Sequence, residues 1–493
     1  MIGLGPWNAM AQTARLRQFF RRYRVETLLF FSFWASFAYF IHLRPGWNAN
    51  TRIGLTFALV DRGTITIDGY HDHPLTQTDD KAFYKGHYYC DKSPALSFLA
   101  VPFYGLAKRI LAHSAIEAKV VFARQWCIVW TVGLLGALAA ALFYRLMRLF
   151  GATGGEALAL TFFLVYGTNL GGYTSLFFPY LPATACLLGA YVLSLSVRER
   201  AEPLGRARAA AIGFLISMAA FFEYFFGLAA AALAALVFAT MRPRRRFVWL
   251  VVGALPPAAA LFAFNYTVFD NLVGPYRYEA RADFLQGMSA GFMGITRPNL
   301  SVLYYLTIHP YKGLFFYSPM LYGFFLGSFW TDRLGRRRAD LAAAWAILVA
   351  YLLFNSSYYL WWGGWSMGSR HLIPLLPFLF MPILASLRRG PQMRSVVLLA
   401  GCVSVLLNVP PIAVDPQIPA GYSDLVLCLP GFPPANLRSP WLTMVIPSFF
   451  HGQIAVNVFS FLPHLLSLLP LAALWAATLR TAWQWTQEPL EEK

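Results

Sequence analysis

Apolar runs long enough to cross a bilayer, about 17 to 25 residues each, recur along the chain, separated by short arginine clusters or by a few long polar loops. The first run, Val25 to Leu43, follows Arg15, Arg17, Arg21, Arg22 and Arg24, a concentration that holds the preceding terminus in the cytoplasm. No small-residue cleavage pattern follows it, so the run reads as a retained span. Taking each later basic cluster as inside predicts spans at 121–144, which ends at Arg145 and Arg148, and at 157–174. A fourth span returns to Arg198, Arg200, Arg206 and Arg208. Two short ones within 209–241, with Glu223 near their outer apex, lead to Arg242, Arg244, Arg245 and Arg246, and a seventh follows at 247–267. The eighth returns to Arg333, Arg336, Arg337 and Arg338, and the tenth to Arg388, Arg389 and Arg394. The twelfth, 453–479, leaves the C-terminus inside.

Residues 94–112 are apolar but hold Pro94 and Pro102 and end in Lys108 and Arg109. Only if they lie in the outer interface, as a juxtamembrane helix, do all the later clusters fall inside. The expected fold is therefore an all-α polytopic membrane protein with about 12 transmembrane helices, a single domain over 1–493. Long outer loops fall at 44–120, with juxtamembrane helices, at 268–312 and at 414–450.

Composition agrees: 58% of residues are hydrophobic and 13% charged, and the mean hydropathy is +0.51, more apolar than a soluble core of this length needs. The formal net charge of +18 does not indicate a nucleic-acid partner, because the basic residues sit between spans as orientation signals do. The five cysteines have no metal-ligand spacing. Only Cys90 and Cys428 fall in polar loops, where an oxidising compartment would permit a bridge.

Against this background the loop after the first span stands out. The chain has 22 acidic residues, and six of them, Asp61, Asp68, Asp72, Asp79, Asp80 and Asp91, lie in residues 44–94 among Lys81, Lys85, Lys92, His71, His73 and His87. Asp61 and Asp68 flank Thr64-Ile65-Thr66-Ile67 and read as the ends of a short strand. His71-Asp72-His73 lacks a third metal ligand and reads as surface loop. At the loop's end, Tyr88-Tyr89-Cys90-Asp91-Lys92-Ser93-Pro94-Ala95-Leu96 sets a carboxylate and an ammonium before a helix start, where a lysine can reach a lipid phosphate at headgroup depth. The plainer reading is a snorkelling lysine in an exposed ion pair.

These residues resemble the GT-C membrane glycosyltransferases, in particular the lipid A aminoarabinose transferases and the protein O-mannosyltransferases. There, a polar loop after the first span opens with an acid and closes with an aromatic-acid-Lys-Pro-Pro-Leu motif. Tyr89 to Leu96 is similar to that closing motif, with Cys90 inserted and Ser93-Pro94 for Pro-Pro. The resemblance implies a GT-C-like transmembrane domain, a polyprenyl-phosphate sugar donor whose phosphate Lys92 binds, and an active site outside the cytoplasm. The opening motif, Asp-Glu-x-Arg in the family, would fall on Ala49-Asn50-Thr51-Arg52, where no carboxylate stands. Asn50 can bind a sugar or a metal but cannot act as a base, and Arg52 keeps the position of the family's arginine. The base then falls to Asp80 or Asp79 in Thr78-Asp79-Asp80-Lys81, unless these form an ordinary solvated turn. Asp91 joins the expected sugar or acceptor contacts.

Further along, Tyr358-Tyr359-Leu360-Trp361-Trp362-Gly363-Gly364-Trp365-Ser366-Met367-Gly368-Ser369-Arg370-His371 joins aromatic rings that can face sugars, glycines that admit a close ligand, and a guanidinium fork for phosphate. Trp362, Trp365 and His371 become candidate sugar or acceptor contacts and Arg370 a phosphate ligand, against an interfacial aromatic belt. Lys312 in His309-Pro310-Tyr311-Lys312-Gly313 is a second cation for the phosphate or an anchor for the eighth span. Glu223 in FFEYFFGL is a carboxylate at membrane depth and so a candidate for sugar hydroxyls.

The sequence thus leads to transfer of a sugar from a polyprenyl-phosphate donor to a lipid, glycan or protein acceptor on the periplasmic side of a bacterial inner membrane. Both termini would be cytoplasmic. The chemistry requires no metal, though it leaves room for a divalent cation. The rivals are a transporter or flippase of lipid-linked sugars, which would carry ionisable residues on broken helices of repeated halves, and a non-catalytic family member.

Overall fold

The computed structural model describes residues 23–43, 45–329, 337–417, 439 and 441–487. Among the described residues the protein is all-α apart from two short antiparallel strand pairs. Helix α1 (Arg24–Phe37) leads through β1 (Phe40–Ile41) into α2 (Trp47–Asp61). The first loop then forms a hairpin, β2 (Ala82–Tyr84) and β3 (His87–Tyr89), followed by α3 (Ala95–Ile110). The hairpin turns on Lys85 and Gly86, both at positive φ, which a glycine at the second position accepts without strain. Thr66 bridges to Tyr89 beside the hairpin, so the expected extended segment forms, with Asp68 accepting from the Tyr88 amide at 2.7 Å. Asp61 instead ties α2 to α3, accepting from the Tyr70 and Tyr104 hydroxyls and pairing with Lys108 at 2.6 Å. His71 is buried against Lys81, 3.0 Å away, rather than in the exposed loop that its polar neighbours suggest.

Beyond α3 come α4 (Ile116–Leu149), continuous through a wide turn at Val129–Gly133, α5 (Gly154–Tyr166) and α6 (Tyr180–Glu199). Helices α7 (Arg206–Phe222) and α8 (Gly227–Thr240) form a hairpin whose open ends meet where the Leu204 amide donates to the Arg242 carbonyl. Its apex is Glu223, in extended backbone, where the sequence places it. Then follow α9 (Phe247–Phe269), α10 (Ala282–Ser289), α11 (Arg338–Ser357), α12 (Leu376–Leu387), α13 (Pro391–Val414) and α14 (Leu469–Gln487).

Among the described residues seven helices are long and apolar enough to cross a membrane. The other expected crossings are shorter or interrupted. The eighth is broken at Ser318-Pro319 into Leu314–Tyr317, Pro319–Leu321 and Tyr322–Ser328, since proline cannot donate to the helix before it. The twelfth does not begin at 453: Val456–Asn457 forms β4 and pairs with β1, and the helix starts only at Leu469. Asn457, Ser460 and Pro463 interrupt that apolar run with turn chemistry, so it closes on itself instead of winding.

Candidate functional site

The loops at the ends of these helices enclose a cavity of about 550 Å³, with Asn50, Asp80, Lys92, Glu279, Trp362 and Arg370 among its lining residues. They come from three regions: the first polar loop with its helix α2, the second long loop and the aromatic loop. Helix α2 occupies the stretch without the expected acid, and Asn50 projects from its first turns, donating to the Gln77 carbonyl at 2.8 Å while its Oδ1 stays buried and unpartnered. Asp80 is aimed by a hydroxyl turn. Thr78 Oγ1 donates to the Trp47 carbonyl at 2.9 Å and accepts from the Asp80 amide at 3.1 Å, which locks the acid against the start of α2. Strand β3 delivers Asp91 and Lys92 to the same place. The Lys92 ammonium contacts the Asp91 carboxylate and lies 3.6 Å from Asp80 Oδ2.

A fourth ionisable group escaped the sequence reading. Glu279 lies in the second long loop, stitched beside Asp80 by a bridge to Ala82 and by the Ala280 amide donating to the Lys81 carbonyl at 2.9 Å. The scarcity of acids that drew attention to the first loop could have marked Glu279 too, but no neighbouring motif did so. Burial and the Asp91 carboxyl raise its pKa well above the ordinary carboxylate range. Burial likewise lifts Asp91 to about 6. Burial works against the Lys92 ammonium, but Asp80, Asp91 and Glu279 outweigh it and hold the lysine protonated beyond its usual range.

Arg370 faces this group from the aromatic loop. Its guanidinium sits over the Phe178 ring at 5.7 Å, buried, with Nε unpartnered and no carboxylate in ion-pairing distance among the described residues. Gly363, Gly364 and Gly368 all have positive φ, and a Cβ at Gly363 would come within 2.8 Å of Arg370 Cγ. Gly363 therefore lets the loop fold over the arginine's own stem, whereas Gly364 lines the cavity and Gly368 packs against Asn169.

The remaining candidates separate. Trp362 and Trp365 line the cavity, and Trp365 is half exposed at its edge. Asp91 is fully buried beneath Lys92 and does not line it. Arg52 and Glu223 also lie off the lining, in a closed pair at 2.8 Å, which explains how a carboxylate at that depth is tolerated. Asp79 points away toward Lys81 at 3.8 Å and is half exposed. His371 is stacked on Phe225 and bonded to Asn355 at 3.1 Å. Lys312 is fully buried, off the cavity, and donates to the Gly364 carbonyl, the Ser366 carbonyl and, at 3.1 Å, Ser366 Oγ. Burial and the Arg370 charge lower its pKa to about 7. Cys90 is buried as a free thiol, while Cys428 lies outside the described residues. Among the described residues no group of three or more His, Cys, Asp and Glu side chains is arranged to hold a metal ion.

No family model and no curated protein matches the sequence. Two solved structures align with the fold. ArnT from Cupriavidus metallidurans bound to undecaprenyl phosphate aligns at 12% identity and a TM-score of 0.48, over 94% of this chain and 75% of its own. The Archaeoglobus fulgidus oligosaccharyltransferase tethered to an acceptor peptide aligns at 13% identity and a TM-score of 0.47, over 85% of this chain and 57% of its own. Both are GT-C enzymes. The likeness is one of overall helix arrangement, and no residue role is taken from it.

Proposed function

We propose that the protein is a glycosyltransferase that moves a sugar from a polyprenyl-phosphate donor to an acceptor hydroxyl at the cavity. The positive-inside pattern supports cytoplasmic termini and a site on the opposite face of the membrane, which in a bacterial inner membrane, the location we assign, is the periplasmic face. One observation carries the reading: two segments distant in sequence, the first loop with Asp80 and Lys92 and the aromatic loop with Arg370, bring a carboxylate, an ammonium and a guanidinium with no ion-pair partner among the described residues to one aromatic-lined cavity.

In this reading the reaction is a direct displacement. Asp80 takes the acceptor's hydroxyl proton as the oxygen attacks the anomeric carbon, and the bond from that carbon to the phosphate oxygen breaks with its electrons staying on phosphate. Arg370, which has no carboxylate of its own, takes the departing phosphate through its planar fork, and Lys92 adds its charge from the opposite side. Trp362, Trp365 and Asn50 are the surfaces offered to the sugar or acceptor. Arg52, Glu223 and Asp91 support the cavity from behind, and Lys312 holds the loop that carries Arg370. A metal is not needed for this chemistry, because the cations beside the phosphate are side chains.

The test uses purified protein in lipid nanodiscs with a panel of polyprenyl-phosphate sugars and envelope lipids as acceptors, reading release of polyprenyl phosphate. Turnover that disappears in Asp80→Asn while the thermal transition is kept supports the reading. Movement of intact donor between leaflets with no release supports a flippase instead, and donor binding without either supports a non-catalytic role.

A further inference from the structure

The cavity wall and the layer directly beneath it hold three carboxyl groups, Asp80 and Glu279 on the lining and Asp91 under Lys92, against two cations, Lys92 and Arg370. With every acid ionised, the site would be net negative before any phosphate entered. Geometry also sets the acids apart. Asp80 lines the cavity, is ordered by its own backbone turn and faces Lys92. Asp91 gives one oxygen to Lys92, and its Oδ1 is buried without a donor. Glu279 has the same deficit at Oε2, in the same cluster as Asp91. Two carboxyl groups with no other donor between them can bond only if one carries a proton, and a buried, unsatisfied carboxylate pair would otherwise cost several kcal/mol.

We infer that Glu279 is a further functional residue of this site: a carboxylic acid kept neutral, which donates a hydrogen bond within the cavity to a phosphate or sugar oxygen, while Asp80 takes the acceptor proton. Substrate entry lets the Glu279 hydrogen turn from Asp91 to the ligand oxygen. No proton is transferred from it, so the displacement balances as before: the acceptor proton ends on Asp80 and the electron pair on phosphate. The groups facing Glu279 are Asp91, Lys92 and Asp80 from the first loop and the Tyr358 hydroxyl from the aromatic loop. The Asp91 charge and burial favour its proton and the Lys92 charge opposes it, with burial the largest effect. The environments of Glu279 and Asp80 thus divide the acid and base roles between two like side chains.

The choice of a phosphate or sugar oxygen rests on the glycosyl-transfer reading, but the proton does not, and the experiment separates the two. Infrared difference spectra of the protein in nanodiscs at neutral pH should contain a protonated-carboxyl band that is lost in Glu279→Gln. In the release assay Glu279→Gln, which keeps a neutral donor of the same shape, should stay within about threefold of wild type and lose any alkaline limb of the pH profile. Glu279→Ala should fall about tenfold. A wild-type spectrum with no band removed by Glu279→Gln would overturn the inference, as would a folded Glu279→Gln protein as inactive as Asp80→Asn. If the band is present and undecaprenyl phosphate binding weakens in Glu279→Ala but not in Glu279→Gln, while no donor is turned over, the neutral acid stands and the transferase reading fails.

Discussion

Two arginines, one partly buried and one buried, lie at opposite ends of one helix and are treated in opposite ways. Arg198, near the end of α6, pairs with the fully buried Asp340 at 2.5 Å, and the Tyr191 hydroxyl donates to the same carboxylate at 2.7 Å. Arg370 lies by Phe178, just before the other end of α6, roughly 30 Å away along 20 helical residues. It has no carboxylate partner among the described residues and opens onto the cavity. A buried cation closed by its own acid is complete, and its removal is a loss of structure. One left open is complete only with an anion from outside, so its removal is a loss of binding. Arg52 with Glu223 belongs to the first kind, although both sit close to the cavity.

The largest expected effect would break the functional half of that contrast: Asp80→Asn should lower release of polyprenyl phosphate by about 10² to 10⁴-fold, with an unchanged melting temperature. Next, Arg198→Ala should destabilise the fold by about 3 to 5 kcal/mol, since it strands the Asp340 charge, as read by thermal unfolding, while leaving donor affinity near wild type in the protein that folds. The double change Arg198→Met with Asp340→Leu should recover most of that loss. Conversely, Arg370→Ala and Lys92→Ala should each weaken undecaprenyl phosphate binding by about 1.5 to 3 kcal/mol, measured by titration. Arg370→Ala should leave stability nearly unchanged, whereas Lys92→Ala should also destabilise, because it uncovers Asp91. If Arg370→Ala unfolds the protein as readily as Arg198→Ala does, the distinction between closed and open arginines collapses.

The smallest effect concerns Lys312. Its folded-state pKa, about 7, lies below the ordinary 10.5, so between these values the unfolded chain binds more protons and stability should rise with pH. The gain between pH 7 and 8 is about 1 kcal/mol at most. Lys312→Met should flatten that rise in pH-dependent unfolding curves.

Much of this arrangement was legible along the chain because its causes are local. Apolar runs must satisfy their backbone internally, so the helices and the hairpin apex at Glu223 follow from length and spacing. The crowding of aspartates around Lys92 marked the first loop for the same reason, since uncompensated acids near a membrane need a function. The start of the twelfth crossing was placed too early because hydropathy counts apolar residues and does not weigh Asn457, Ser460 and Pro463, which together make a turn. Glu279 was missed because nothing beside it in sequence signals that it will lie against Asp91.

By itself, then, the sequence determined an all-α membrane protein and named Asp80, Lys92 and Arg370 as chemically able side chains. Those conclusions depend on hydrophobicity, helix length and residue type, all properties of short stretches. Only the tertiary structure decided that Arg52 and Glu223 close on each other, that Lys312 is held by the aromatic loop around Gly364 and Ser366, and that Arg370 stays open. Partnership between charges depends on distances of a few ångströms between distant segments, as with Arg52 and Glu223, 171 positions apart and 2.8 Å from each other, and the energy of a buried charge depends on that partner more than on its neighbours in the chain.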